Sequence, residues 1–383
     1  MKSLFTSECV TCGHPDKVCD AISDSILDAY LDGDSLSRVA VETMVCQNRV
    51  IVAGEVTSAT TIDSDKIIRD AIEKIGYDYE DMKFNYKNVV IENYIHAQSP
   101  DIAMGVDVNG AGDQGIMFGG ACSGIDKQTL MPDCWRLSKT LADVLRRTAL
   151  KLGTIRPDGK TQVTLDYTNP NKPKWDTIVV SVQHNPELQL DELKKIIVTS
   201  VIGPVVYAYK DFVEFDESSL KLFINPTGRF VIGGPDGDTG ITGRKIVVDG
   251  YGGYYPVGGG AFSGKDPTKV DRSAAYMARY IAYNIVSAGL GRDCEVQLSY
   301  AIGVPQPTSV RIKIDGKIRD DIGDWIIDSI KMDPASIIQK FDLRRMKKLF
   351  NYADLAMNGH FGRTDIKLPW ETYDLLQLET LKK

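Results

Sequence analysis

The sequence predicts an α+β protein of three similar domains in a pseudo-threefold arrangement. Each domain would be a mixed sheet with helices on one face and the other face packed at a domain or subunit interface. Two observations carry this expectation. A helix, a strand pair and a second helix recur in that order three times along 383 residues, a length at which a single core normally divides. Strands such as VIVAGEV and TIVVSV carry apolar residues on both sides, so a sheet covered on one face only would leave some of them wet. The expected boundaries are 1–98, 114–228 and 229–383, with a loop over 99–113 between the first two units.

Taken in order, LFTSECV reads as an opening strand. Pro15 suits the first position of a helix in which Val18, Ile22, Ile26 and Tyr30 recur at helical spacing, closed by Gly33. On that helix Asp16, Asp20, Asp24 and Asp28 form an i, i+4 stripe of like charge, which reads as a solvated face with only Asp16, in the first turn, set apart. RVAVETMV and RVIVAGEV read as a hairpin in which Val39, Val41, Thr43 and Val45 point one way and Glu42 the other. A helix over 67–75, capped by Asp63 or Ser64, and the strand KNVVIENYI complete the unit.

The second unit opens with a helix from Asp133 to Leu152, then the strands QVTLDY and DTIVVSVQ, a helix on Leu193, Ile196, Ile197 and Val201, and the strand SLKLFINP. The third has an alanine-rich helix from Asp271 to Ala288 stopped at Gly289, the strands EVQLSYAI and SVRIKID, and a helix carrying Ile322, Trp325, Ile326 and Ile330. Residues 97–115, AQSPDIAMGVDVNGAGDQG, have no period and form a loop, either a linker or a lid bearing Gln98, Asp107 and Asp113.

Composition narrows the function. A net charge of −7, from 45 basic and 52 acidic residues, argues against a nucleic-acid surface. No eighteen apolar residues run together, and MKSLFTSECV lacks the apolar stretch of a signal peptide, so no membrane segment and a cytoplasmic location are expected. Seven cysteines, an odd number, imply reduced thiols. Cys9, Cys12, His14 and Cys19 have a spacing that zinc sites use, but Cys19 falls on the apolar helix face with Ile22 and Ile26, which favours a core role.

The chemistry concentrates between Arg229 and Tyr276, where glycines alternate with Arg244, Lys245, Lys265, Lys269 and Arg272. Backbone without a Cβ can approach phosphate while cations neutralise it, so a polyphosphate ligand is expected. GGAFSGK spells the glycine and lysine spacing of a P-loop, yet Asp266 stands where Ser or Thr should hold magnesium, which excludes that fold. GHPDK, residues 13–17, sets His14 at a helix mouth that favours an anion, either as a donor to a leaving oxygen or as an N-cap alone. Asp16 is a hard oxygen ligand suited to Mg²⁺, whereas the four histidines His14, His96, His184 and His360 show no transition-metal spacing.

GHPDK, GAGDQG, DGKTQV and GGGAFSGKDPTKVDRSAAY together closely resemble the S-adenosylmethionine synthetase family, over essentially the whole chain through GHFGR at 359–363 and PWE at 369–371. The resemblance implies transfer of the adenosyl group of ATP to the sulfur of L-methionine, then hydrolysis of tripolyphosphate to phosphate and diphosphate. It further implies two Mg²⁺ and a K⁺ per site, three α+β domains, and a homo-oligomer, a dimer of dimers, with active sites shared between subunits. Carried onto matching positions, His14 would face the triphosphate, Asp16 and Asp271 would take Mg²⁺, and Glu42 would take K⁺. Glu55 and Gln98 resemble methionine contacts. Asp158, Lys160, Arg229 and Phe230 resemble ATP contacts, and Asp113 and Asp238 substrate contacts. Arg244, Lys245, Ala261 and Lys265 would hold the polyphosphate, with Lys269 near methionine and phosphate.

The chain departs from the family pattern at Thr11 and Cys12, which precede Gly13 where SEGHPDK is usual, in a shorter loop before GAGDQG, and at Val257, where histidine is frequent. Cys12 is expected to lie beside the site without acting as a nucleophile. Two other readings are a non-catalytic nucleotide-binding subunit and a phosphotransferase using the same pocket. Retention of His14, Asp16, Lys160, Arg244, Lys265 and Asp271 together opposes the first, and a sulfonium nucleoside as product would exclude the second.

Overall fold

The computed structural model describes residues 2–98, 110–125, 127–345 and 350–382. Asp107 and most of the 99–113 loop lie outside the described residues. In chain order the elements are β1 (Leu4–Val10), α1 (Pro15–Gly33), β2 (Arg38–Cys46), β3 (Arg49–Thr57), α2 (Ser64–Ile75), β4 (Val90–Ala97), β5 (Gly115–Cys122) and α3 (Asp133–Leu152). There follow β6 (Ile155–Asp166), β7 (Lys174–His184), α4 (Leu190–Ile197), α5 (Gly203–Ala208), β8 (Lys221–Ile224), β9 (Gly240–Ile241) and the short α6 (Ile246–Asp249). The last part holds α7 (Val270–Ser287), β10 (Asp293–Tyr300), β11 (Ser309–Ile314), β12 (Lys317–Ile318), α8 (Asp320–Ser329), α9 (Pro334–Phe341) and α10 (Tyr352–Asn358).

These strands form three four-stranded sheets in the orders β9-β2-β3-β4, β1-β6-β7-β8 and β5-β10-β11-β12. Each sequence unit therefore gives its first strand to the next unit's sheet: β1 joins the central sheet, β5 the C-terminal sheet and β9 the N-terminal sheet. The first two sheets are mixed, because β4 and β8 run parallel to β3 and β7. The third differs in being antiparallel throughout, its fourth strand reduced to the two-residue β12.

The helix–hairpin–helix units of the sequence are present, but β5 and β9 escape the pattern. β5 reads GIMFGGAC, and its glycines look like loop. Their use is close packing: a Cβ at Gly119 would lie 2.1 Å from the backbone of Ala278, so α7 could not lie across the strand. The helices cover one face of each sheet. Val18, Ile22 and Ile26 of α1 share one core with α7 and the N- and C-terminal sheets, while Leu137, Leu141 and Leu145 of α3 line a second core against Val163, Ile178 and Val180 of the central sheet.

The opposite sheet faces are open in the single chain. On the N-terminal sheet Met44, Val90, Tyr94 and Ile241 are exposed, and on the central sheet Phe223 is.

Candidate active site

The register of the N-terminal sheet brings two predicted carboxylates onto its open face. Glu42 pairs with Ala53 and Ala53 with Tyr94, while Ala40 pairs with Glu55 and Glu55 with His96, so Glu42 and Glu55 stand in neighbouring rows. The glycine-rich stretch runs along the β2 edge of this sheet: Lys265 bridges to Ala40, and Val41 donates to the carbonyl of Gly264 at 2.9 Å. Between them opens a cleft of about 850 Å³ lined by Glu42, Glu55, Tyr94, Gly243, Ala261 and Lys265 among others. Behind its wall Lys265 Nζ lies 2.5 Å from Asp271 Oδ2, an aspartate in the first turn of α7. Gly260 leaves room for that carboxylate, since a Cβ there would sit 2.0 Å from its carbon.

A second group surrounds the start of α1. Pro15 opens the helix, and the His14 Nδ1 atom caps it by accepting from the Asp16 amide at 3.2 Å. Burial, together with the charges of Lys245 and Lys160, drives the His14 pKa down to about 3. The ring is therefore neutral, and with Nδ1 accepting, its proton sits on Nε2 as a donor. Asp16 accepts from the Ile241 amide at 3.0 Å and pairs with Lys245 at 2.5 Å; Arg244 is 3.6 Å away. Burial pushes its carboxyl up, but the Lys245 and Ile241 hydrogen bonds outweigh that and hold it below the usual range.

Asp158 belongs to the same group. Burial raises its pKa to about 6 against the opposing hydrogen bond from Gly234 N and the charge of Lys160, and Asp238 adds a further upward push. Lys160 and Asp238 are exposed. Arg229 and Phe230 sit farther along, where Phe230 N donates to His184 Nε2 at 3.2 Å. Gln98 ends β4's edge with its amide on Val56 O, Asp113 is exposed and accepts from Gln114 N, and Lys269 directly precedes α7.

The carboxylate stripe of α1 corrects the reading of it as a solvated face. Asp16, Asp20 and Asp24 are at most 2% exposed. Each accepts a distant backbone N–H: Asp20 from Gly243 at 2.9 Å, Asp24 from Gly264 at 2.8 Å, and Asp28 from Tyr352 and Ala353. The glycine amides of 243 and 264, expected to face phosphate, are thus already taken by aspartates. What these glycines supply is a left-handed backbone, at φ +82° and +79°. Of the groups expected to face phosphate, the side-chain cations are the ones left to do so.

Arg272, expected from the sequence to be one of the cations of the glycine-rich stretch, is instead a structural group behind these loops. Arg272, fully buried, pairs with Asp24 at 2.5 Å and donates through Nε to Phe262 O at 2.9 Å. GHFGR and PWE lie behind the same loop: His360 contacts Tyr276 OH at 2.9 Å, Phe262 meets the His360 ring edge-on, and Trp370 stacks on Tyr276 at 3.8 Å. Cys12 is 2% exposed with its thiol pushed up by burial, a poor nucleophile. All seven cysteines are free, and Val257 lines a small cavity beside Asp271.

Comparison with known proteins decides what this site belongs to. Models of the S-adenosylmethionine synthetase N-terminal, central and C-terminal domains match residues 2–100, 108–230 and 232–372. The chain belongs to the S-adenosylmethionine synthetase family. It is a methionine adenosyltransferase, an enzyme of S-adenosylmethionine synthesis. A solved S-adenosylmethionine synthetase from Campylobacter jejuni, described as unusual, is similar with a TM-score of 0.89 at 38% identity, covering 99% of this chain and 100% of that chain.

The donor set beside these cations suits a hard metal ion. Among the described residues no three His, Cys, Asp or Glu side chains form a cage for a metal ion, so the zinc arrangement of Cys9, Cys12, His14 and Cys19 is not assembled. Single carboxylates at Asp16 and Asp271, each beside a lysine ammonium, fit a hard cation that takes its other ligands from water and substrate phosphates. Among the described residues no helix is long and apolar enough to cross a membrane.

Proposed function

We propose that the methionine sulfur attacks C5′ of ATP in the cleft over the N-terminal sheet, and that the displaced tripolyphosphate is hydrolysed to phosphate and diphosphate before release. The observation that carries this is the cleft of about 850 Å³ in which Lys265, Glu42 and Glu55 meet. Its Gly243 edge leads directly to Arg244 and Lys245. A neutral thioether needs no general base. Its attack makes a sulfonium while negative charge builds on the leaving triphosphate, so cations fixed beforehand lower the barrier directly. Lys265, Lys245, Arg244 and Lys160 supply that charge, and His14 Nε2 donates to the departing oxygen. Glu55 and Gln98, with Lys269, Asp113 and Asp238, orient methionine; Asp158, Arg229, Phe230 and Ala261 hold the nucleotide.

Asp16 and Asp271 would each hold one Mg²⁺ and Glu42 a K⁺. Bound metal would neutralise phosphate charge in both steps. In the hydrolysis Arg244 braces the transferred phosphoryl with its planar fork.

What supports a shared-site dimer is the floor of the cleft, an open sheet face carrying exposed Tyr94, Met44 and Val90. A second copy seated there would bury that apolar surface and roof the cleft, giving a dimer with shared sites, and two such dimers a tetramer. The reaction is placed in the cytoplasm. The test is incubation with ATP, methionine, Mg²⁺ and K⁺, omitting each in turn. S-adenosylmethionine, phosphate and diphosphate in equal amounts, with loss on Mg²⁺ removal, is expected. A phosphorylated acceptor without a sulfonium nucleoside would overturn the proposal.

A further inference from the structure

We infer that Asp20, with Lys17 and Asp249, is a positioning group that aims Arg244 and Lys245 at the triphosphate; this rests on the phosphate role proposed above for those two cations. The segment 243–249 begins at the glycine before Arg244 and ends with α6. Both of its ends are tied to α1. Gly243 N donates to Asp20 Oδ1 at 2.9 Å, and Asp249 Oδ1 lies 2.5 Å from Lys17 Nζ. The two ties are joined, because Lys17 Nζ is also 3.0 Å from Asp20 Oδ2. All three side chains are at most 5% exposed, so water does not compete for these contacts.

The placement explains why such a group is useful. Arg244 is 52% exposed with Asp16 Oδ1 3.6 Å away, and Lys245, 19% exposed, pairs with Asp16 at 2.5 Å, so both cations spring from one short stretch of backbone and converge on one carboxylate. Their aim depends on the backbone. The left-handed turn at Gly243 fixes the direction in which the chain enters Arg244, and the Asp20 carboxylate fixes Gly243. None of the three side chains needs to touch substrate. They act through a loop, and Lys17 and Asp20 lie on the same helix whose first turn carries Asp16, so one rigid element registers His14, Asp16 and the cation pair together.

The experiment compares Asp20→Ala, Asp20→Asn and Asp249→Ala with wild-type enzyme. Three readouts are needed: kcat, KM for ATP and methionine separately, and hydrolysis of added tripolyphosphate. Asp20→Ala is expected to raise KM for ATP and lower tripolyphosphate hydrolysis by about tenfold or more, with KM for methionine within about twofold. Asp20→Asn keeps an oxygen for the Gly243 amide and should recover most of the loss. Asp249→Ala releases the other end of the segment while leaving the Lys17–Asp20 pair, and should give the same ATP-side signature even if Asp20→Ala does not fold. Folded variants with unchanged ATP and tripolyphosphate kinetics, or with equal losses toward both substrates, would overturn the inference. Wild-type enzyme making no S-adenosylmethionine would instead sink the underlying phosphate reading.

Discussion

Lys265 projects a charge into the cleft with its side chain 27% exposed and Asp271 its ion-pair partner. Removing it should leave the fold intact and weaken the leaving group's support. Lys265→Ala is expected to cut kcat on the order of a hundredfold with an unchanged circular-dichroism spectrum; wild-type turnover in the folded variant would remove Lys265 from the reaction. Asp158 tests the electrostatics by pH. Its folded pKa of about 6 lies above the unfolded value of 3.8, so between those values the native state keeps a proton that the unfolded chain releases. Stability therefore falls as pH rises through that window, by up to about 3 kcal/mol from this group. Without substrate, Asp158→Asn should raise the melting temperature at pH 7 and change it little at pH 4, and an equal shift at both would contradict the assignment. At this scale, residues carried by short contiguous motifs, such as His14 in GHPDK and Lys265 in GGGAFSGK, were legible. Asp20 and Asp24 were not, because the amides that explain them lie 223 and 240 residues away and a stripe of like charge looks solvated.

The segment holding Lys265 depends on its backbone. Gly264 has φ +79°, gives its N–H to Asp24, and would place a Cβ 1.9 Å from Val41 O. Gly264→Ala should cost about 1–3 kcal/mol of stability and raise KM for ATP. Gly253→Ala serves as the comparison, since it shares a left-handed φ of +86° but has nothing within 4 Å of its Cβ. A similar loss in both variants would show that the clash with β2 does not matter. Elements with clear signals were legible nearly to the residue: Asp133–Leu152 falls where the 3.6-residue repeat puts it, and Leu4–Val10 is the strand that LFTSECV reads as. β5 was not, because glycines chosen for contact with α7 erase strand propensity, and β9 is too short to show a pattern.

Across the whole molecule the three units interlock, each sheet borrowing its first strand from another unit. Repetition in the sequence revealed that there are three units, but pairing between β9 and β2 depends on contacts some 200 residues apart, which local pattern does not encode. The interlock brings α1, the 240–249 segment and the glycine-rich loop to one place, the arrangement that the proposed direct displacement needs: cations beside the leaving triphosphate and no enzyme nucleophile. Cys12 beside His14 is buried with its thiol pushed up, and His14 is neutral and committed to a cap, in keeping with that absence. The most direct measurement uses ATP carrying deuterium stereospecifically at C5′, with the configuration of the same carbon read in the S-adenosylmethionine formed. A single in-line attack predicts inversion; retention would require the adenosyl group to pass through the enzyme first and would contradict the account.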